Sequence, residues 1–240
     1  MGAPAALPPD LDRLQWAIRA ALSSPLLDDI QGFAWEAVFH AAKQLALRDP
    51  LAEGKTKRLF DAVDAASGKG WSLKAKQCGT PKSMRPGMVI EIVIQRADVF
   101  SKAVQLGYRR GLAKASPPAT LGKAVVRLWN NKVREDIGAQ CVRVPMLAVL
   151  LKSANRKRYG YFELPLEQFG EDQFDWAWAA GRRKGLQARE GGTLRLKWYP
   201  SGTQLFQCVT VPPTCVFFDV QPNRVPMDTY IAFIRGLAPR

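Results

Sequence analysis

Residues 88–95 (MVIEIVIQ) constrain the fold more than any other segment of this sequence. The run is rich in β-branched residues and almost continuously apolar, which is typical of a strand that is buried on both faces. Apolar residues at helical spacing precede the run, and short apolar stretches punctuated by Gly and Pro follow it. We therefore expect a protein of the α/β class, in which helices pack on a mixed sheet (α+β).

The same periodicities predict the other elements. Helices are predicted at residues 10–22, 28–47, 98–106, 119–139 and 227–237. Strands are predicted at residues 57–64, 71–78, 88–95, 141–152, 159–163, 185–189, 193–199, 204–211 and 215–220. The order indicates three regions: an N-terminal tail and helix at 1–27, a core at 28–153, and a β-rich extension at 154–240.

The charge of the chain indicates a polyanionic partner. The 240 residues include 35 Lys and Arg against 21 Asp and Glu, which gives a formal net charge of +14. Apolar residues make up 47% of the chain, so a hydrophobic core is available and wholesale disorder is excluded. A basic chain with a folded core most often binds nucleic acid, because each phosphate that it neutralises releases a counterion.

Histidine and cysteine usage narrows the chemistry. The single histidine, His40, excludes His-based zinc sites and the nuclease types that need several histidines. The four cysteines form no CxxC pair, so we expect neither structural zinc nor a disulfide framework. Residues 1–9 lack the pattern of a secretory signal, and no run is long enough to span a bilayer. These observations predict a cytoplasmic protein with reduced thiols that does not act at a membrane.

The two strands around the turn AASGKG form a predicted β-hairpin that carries acidic and basic side chains. If Asp64 pairs with Trp71, Asp61 lies opposite Lys74 with their Cβ atoms about 5 Å apart. If the register slips by one residue, Asp64 lies opposite Ser72, and Lys74 is the next residue along that face. Side chains alternate along a strand, so only one of the two aspartates can share a face with Lys74.

A carboxylate beside a lysine can hydrolyse a phosphodiester without histidine. The carboxylate binds Mg²⁺, which prefers oxygen ligands and retains several waters. The lysine orients or deprotonates a metal-bound water, and the two positive charges stabilise the negative charge that develops on the phosphate oxygens.

With these residues the sequence resembles the PD-(D/E)XK nuclease superfamily, and within it the type II restriction endonucleases. The matching residues are Glu36 on a helix, Asp61 or Asp64 on a strand, and Ser72-Leu73-Lys74 on the strand after the turn. The resemblance covers residues 28–152 and implies a restriction-endonuclease-like αβββαβ core. It implies Mg²⁺ as cofactor, double-stranded DNA as substrate, and a homodimer, because one active site serves one strand.

The resemblance also implies the roles of individual residues. Ser72 stands where an acidic residue is usual, and Glu91 on the following strand is the candidate replacement ligand. The implied catalytic residues are Asp61, Asp64, Lys74 and Glu36. The implied metal ligands are Asp61, Asp64, Ser72 and Glu91.

Candidate DNA-binding residues are basic or amide side chains, most of them in or near the β-rich extension, which is the expected recognition region. They are Lys76, Arg127, Lys132, Arg156, Arg158, Arg182, Arg183, Lys184, Gln187, Arg195 and Lys197. Tryptophans in the extension can stack on bases, but core packing is the expected role of these large apolar rings.

The sequence therefore favours a Mg²⁺-dependent, sequence-specific endonuclease. The alternative is a non-catalytic, basic nucleic-acid-binding protein in which Asp61 and Lys74 form an ordinary cross-strand ion pair. A third interpretation is a phage or mobile-element structural protein whose basicity is incidental.

Overall fold

The computed structural model describes residues 9–46, 58–96, 117–180, 185–199 and 204–236. The chain divides into two compact units, each made of separate stretches. Unit 1 consists of Met1–Met84, Arg143–Leu164 and Thr214–Arg240, and unit 2 consists of Arg85–Val142 and Pro165–Pro213. Each unit therefore draws on both the expected core at 28–153 and the expected extension at 154–240.

The mixed α/β class is confirmed, and the elements of the described residues follow in chain order. The helices are α1 (Pro9–Ser23), α2 (Phe33–Lys43), α3 (Pro118–Ala139) and α4 (Met227–Gly236). The strands are β1 (Ala62–Asp64), β2 (Lys69–Gln77), β3 (Val89–Arg96), β4 (Val144–Lys152), β5 (Arg158–Pro165), β6 (Asp175–Trp178), β7 (Leu186–Glu190), β8 (Thr193–Tyr199), β9 (Gln204–Thr210) and β10 (Val216–Asp219). A short 3₁₀ helix at Pro81–Ser83 follows β2.

Unit 1 contains a sheet with the strand order β1-β2-β4-β5-β10. The β2 strand pairs with β1 in antiparallel orientation and with β4 in parallel orientation, from Lys69↔Val144 to Gln77↔Lys152. One face of this sheet and the apolar faces of α1 and α2 share a buried core. Aromatic residues of α2 meet β2 there, with Phe39 edge-on to Trp71 at 5.5 Å between ring centroids.

Unit 2 contains an antiparallel sheet with the strand order β3-β9-β8-β7-β6. Helix α3 packs against β6 and β7, and Gly122 allows a close approach because a Cβ there would collide with the Trp176 ring. The residues of β3 alternate between a covered and an open face: Ile90, Ile92 and Ile94 are buried, whereas Val89 is 64% exposed.

Two predictions about β3 are therefore wrong. The strand is not buried on both faces, because its neighbour is antiparallel and alternate side chains point away from the core. It is also not the third strand of the sheet that contains the hairpin, as the expected αβββαβ core requires. The edge of β2 opposite β1 is instead occupied by β4, and β3 pairs with β9.

Helix α2 begins at Phe33 rather than at residue 28, because the acidic residues before it serve other contacts. Asp29 accepts hydrogen bonds from Lys152 Nζ at 2.7 and 2.8 Å, and Asp28 pairs with Arg224 at 2.7 Å. The β6 strand was not predicted, and the helix predicted at 98–106 lies outside the described residues. Among the described residues, no helix combines the length and the apolar character that crossing a bilayer requires.

Candidate functional site: acidic residues and a lysine beside the hairpin

The hairpin has a tighter turn than either predicted register. Ala62 pairs with Trp71 and Asp64 pairs with Lys69, so both predicted registers are wrong. The Asp61 N–H donates to the Trp71 carbonyl at 2.9 Å, which brings Asp61 to the level of Ser72 rather than Lys74. Side chains alternate along a strand, so Ser72 and Lys74 point to the same face of β2. Asp61 and Lys74 are therefore diagonal neighbours across the two strands of the hairpin.

The Asp64 side chain stabilises the turn of the hairpin through hydrogen bonds. Its carboxylate accepts hydrogen bonds from the Ala66 N–H at 3.0 Å and from the Ser67 hydroxyl. The Ser67 hydrogen bond is the main reason that the pKa of Asp64 lies below its ordinary value. Gly68 completes the turn with a φ of 72°, a conformation that favours glycine. These contacts explain the tight register, and they give Asp64 a structural role.

Asp61 is held at the other end of the hairpin. Its Oδ2 accepts a hydrogen bond from the Leu73 N–H at 2.7 Å, a donor that the three-residue β1 strand leaves available. Burial raises the pKa of Asp61 above its ordinary value, and the nearby Lys74 ammonium and the Leu73 hydrogen bond oppose that rise. The carboxylate is thus fixed in position but poorly solvated.

Glu36 on α2 belongs to the same electrostatic cluster. Burial raises its pKa, and the negative charge of Asp61 raises it further. The charges of His40 and Lys74 act in the opposite direction. The structure thus brings together three of the four predicted catalytic residues: Glu36, Asp61 and Lys74.

His40 connects the helix to the hairpin. It is 4% exposed, and its Nε2 lies 3.2 Å from the Asp61 carbonyl oxygen while its Nδ1 lies 2.9 Å from that of Ala46. Sequence reasoning used His40 only to exclude sites that need several histidines. Its position four residues after Glu36, on the same helix face, is the signal that could have linked it to the site.

The Ser72 side chain is fully buried, and its Oγ has no hydrogen-bond partner among the described residues. A buried hydroxyl without a partner costs free energy, so its persistence needs a reason. Asp61 lies opposite Ser72 in the hairpin, and the Ser72 hydroxyl and the carboxylates of Asp61 and Glu36 are hard oxygen donors of the kind that Mg²⁺ prefers. The described residues contain no group of three or more His, Cys, Asp or Glu side chains arranged to hold a metal.

Glu91, the candidate replacement ligand, lies on β3 in unit 2. There its carboxylate forms an ion pair with Lys197, and the residue is directly opposite Cys208 in the sheet. In unit 1, Asp61 is linked electrostatically to Glu36 and Lys74.

Most of the candidate DNA-binding residues in the described part of unit 2 form ion pairs. Arg127 binds Glu171, Lys132 binds Asp136, Arg195 binds both Glu167 and Glu190, and Lys197 binds Glu91. The fifth, Gln187, accepts a long hydrogen bond from Arg189 at 3.5 Å. Arg182, Arg183 and Lys184 lie outside the described residues.

Three further candidates lie in unit 1. Arg156 donates to the Asp28 carbonyl at 2.9 Å, and Arg158 lies 3.7 Å from Asp219. Lys76 is half-buried on β2 and shares the face of Lys74 by strand alternation. Of the three, Lys76 lies closest to Lys74 along the chain.

No family model matches this chain, and no curated protein or solved structure shows significant similarity to it.

Proposed function

We propose that this chain is a Mg²⁺-dependent endonuclease of the PD-(D/E)XK type, which hydrolyses phosphodiester bonds of double-stranded DNA as a type II restriction enzyme does. The observation that carries the proposal is the electrostatic link among three residues of unit 1: the charge of Asp61 acts to raise the pKa of Glu36, and the charge of Lys74 acts to lower the pKa of both carboxylates. Two carboxylates with raised pKa values beside an ammonium group are a common signature of a functional site.

Asp61 and Glu36 are the proposed metal-binding carboxylates, and the Ser72 hydroxyl is a third oxygen donor nearby. When bound, Mg²⁺ would supply charge stabilisation at the phosphate and an acidified water. The Leu73 N–H fixes the Asp61 carboxylate, and His40 fixes the main chain of Asp61 against α2. The chain therefore orients the Asp61 carboxylate before any ligand arrives.

Lys74 is the proposed catalytic lysine. Its charge lowers the pKa of both carboxylates, so its ammonium lies within electrostatic reach of each of them. From this position the Lys74 ammonium can orient the attacking water and stabilise the charge that develops on the phosphate oxygens, and the neutral Lys74 amine can accept a proton from that water.

The remaining parts of the proposal concern partners and location. The net charge of +14 favours DNA as the polyanion. Cleavage of both strands calls for two active sites, which favours a homodimer. All four cysteines are free, which is consistent with the reducing conditions of the cytoplasm.

Digestion of a plasmid of known sequence in the presence and absence of Mg²⁺ tests the proposal. The wild-type chain should give discrete fragments only with Mg²⁺. Lys74→Ala and Asp61→Asn should each lower the cleavage rate by about 100-fold or more, since each removes a group that acts in the chemical step. DNA binding, measured by fluorescence anisotropy, should remain.

Asp64→Asn is the matched control, because Asp64 lies on the same hairpin but serves the turn. It should cleave at nearly the wild-type rate. If the folded wild-type chain cleaves no DNA with Mg²⁺, or if Lys74→Ala cleaves as fast as wild type, the enzyme proposal is wrong. Salt-dependent DNA binding without cleavage would then favour a non-catalytic nucleic-acid-binding protein.

A further inference from the structure

The C-terminal helix α4 is apolar but not buried. Every residue of this helix is exposed or half-buried, and Met227, Ile231 and Ile234 are 45%, 38% and 47% exposed. An isolated helix of this length is marginally stable in water, so its apolar side chains are expected to pack against something.

The segment that leads into α4 is anchored in unit 1. The Val225 N–H donates to the Ser23 carbonyl at 2.9 Å, and Arg224 pairs with Asp28. The beginning of the helix therefore has a defined attachment site.

Three apolar residues of α4 form one stripe, whereas Phe233, which is 61% exposed, lies off it. Met227, Ile231 and Ile234 are separated by four and then three residues, which is the spacing of the contact positions in a two-helix coiled coil. Tyr230 flanks the stripe on one side, and Thr229 lies on the opposite face of the helix.

The charges of α4 are self-complementary. Asp228 and Arg235 lie seven residues apart, so they fall on the same flank of the stripe, one at each end of the helix. When two copies pack antiparallel across a two-fold axis, the same flank of each helix faces the other, with the ends reversed. Asp228 then lies beside the partner's Arg235, and the pair occurs twice.

We propose that α4 is the surface through which two copies of this chain associate, as an antiparallel helix pair across a two-fold axis. Ile231 lies at the centre of this contact and meets the same residue of the second copy. An anionic membrane would favour basic flanks, whereas this helix carries one acidic and one basic residue. The proposal does not depend on catalysis, and it gives the expected homodimer a specific surface.

Charge reversal tests the pairing. Asp228→Arg and Arg235→Asp each place like charges together twice, so sedimentation velocity of the full chain should show at least a tenfold weaker self-association for each variant. An equimolar mixture of the two variants should associate with near wild-type affinity, because both contacts again join opposite charges. Thr229→Arg, on the outer face, is the control and should associate like wild type.

Every outcome decides the proposal. A monomeric wild-type chain at all concentrations would overturn it, as would a mixture that associates no better than the separate variants. A dimer that withstands both charge reversals and Ile231→Glu would place the interface elsewhere. Circular dichroism of each variant would confirm that the fold is intact, and plasmid cleavage would report on the nuclease separately.

Discussion

Unit 1 contains partly buried carboxylates in two contrasting environments, which shift their pKa values in opposite directions: Glu163 in one, and Asp61 with Glu36 in the other. Glu163 on β5 accepts hydrogen bonds from Trp71 Nε1 at 2.8 Å and from the Tyr161 hydroxyl, and it pairs with Lys43 at 2.7 Å. Burial acts to raise the pKa of Glu163, but these three donors outweigh it, and the pKa lies below its ordinary value.

Asp61 lies opposite Ser72, the residue that follows Trp71 on β2, and its charge acts on Glu36. The Asp61 carboxylate accepts a hydrogen bond from the Leu73 N–H, but burial keeps its pKa above the ordinary value. Burial and the charge of Asp61 raise the pKa of Glu36. Burial alone therefore does not distinguish a functional carboxylate from a structural one. The distinction depends on how well nearby hydrogen-bond donors and positive charges stabilise the carboxylate. A buried carboxylate whose negative charge is weakly stabilised retains affinity for a cation.

Removing the charge of Glu163 should have the largest effect on stability. Glu163→Gln should lower the free energy of unfolding at pH 7 by about 2–3 kcal/mol, because it weakens charge-assisted hydrogen bonds in a buried network. The lowered pKa stabilises the fold above the ordinary value of 4.5. The difference from wild type should therefore shrink as the pH falls below that value. Urea unfolding at several pH values measures this effect.

The exposed pair between Lys123 and Asp172 provides a control for the Glu163 measurement. Asp172→Asn should change the stability very little, because Asp172 is 83% exposed in its side chain and water screens the pair. If Asp172→Asn lost as much stability as Glu163→Gln, the buried hydrogen bonds of Glu163 would contribute no more to stability than an exposed ion pair.

Removing the charge of Asp61 should have the opposite effect on stability. Asp61→Asn should stabilise the metal-free protein by about 1 kcal/mol at pH 7, a usual size for a stabilising substitution at a functional site. When folding raises the pKa of a carboxyl group, the folded protein becomes less stable as the pH rises through that raised pKa. The gain should therefore disappear below about pH 4, near the ordinary value of 3.8. Thermal unfolding across this pH range measures it.

Asp64→Asn offers the contrast on the same hairpin, because the pKa of Asp64 is lowered rather than raised. It should give no gain in melting temperature at any pH. If Asp61→Asn destabilises the protein as Glu163→Gln does, the two carboxylate groups are both structural.

Replacement of Ser72 should have the smallest effect on stability. Ser72→Ala removes a buried hydroxyl that lacks a partner among the described residues, so the metal-free protein should become slightly more stable, by about 0.5 kcal/mol. The same substitution should weaken Mg²⁺ binding in calorimetry if the hydroxyl is a ligand. Unchanged Mg²⁺ affinity would limit the metal site to the carboxylates.

The sequence predicted the elements of this fold better than their partners. Strand β8 was predicted at its observed bounds of Thr193–Tyr199, because its periodicity is local. The neighbours of β3 could not be predicted, because its partner β9 is more than 100 residues away and nothing in either strand specifies the other. The same limitation applies to the parallel pairing of β2 with β4.

The site was predicted in composition but not in geometry. The sequence offered Glu36, Asp61 and Lys74 as candidates and left Asp64 and Glu91 open as alternatives. The register was not predicted, because it depends on the Asp64 side chain bonding to Ala66 and Ser67. The choice between the two aspartates depended on the same contact. The link from His40 to the Asp61 carbonyl depends on tertiary packing of α2, which the sequence does not reveal.

The interleaving of the two units has a consequence for synthesis of the protein. The β1–β2 hairpin leaves the ribosome early, yet β2 has no partner on its other edge until β4 has been translated, and the sheet is complete only after β10 ends at Asp219. The nascent chain thus carries an open strand edge during most of its elongation, and such edges promote aggregation. A fragment that ends near residue 153 would keep this edge covered by β4 but would lack β5 and β10, so we expect it to be insoluble.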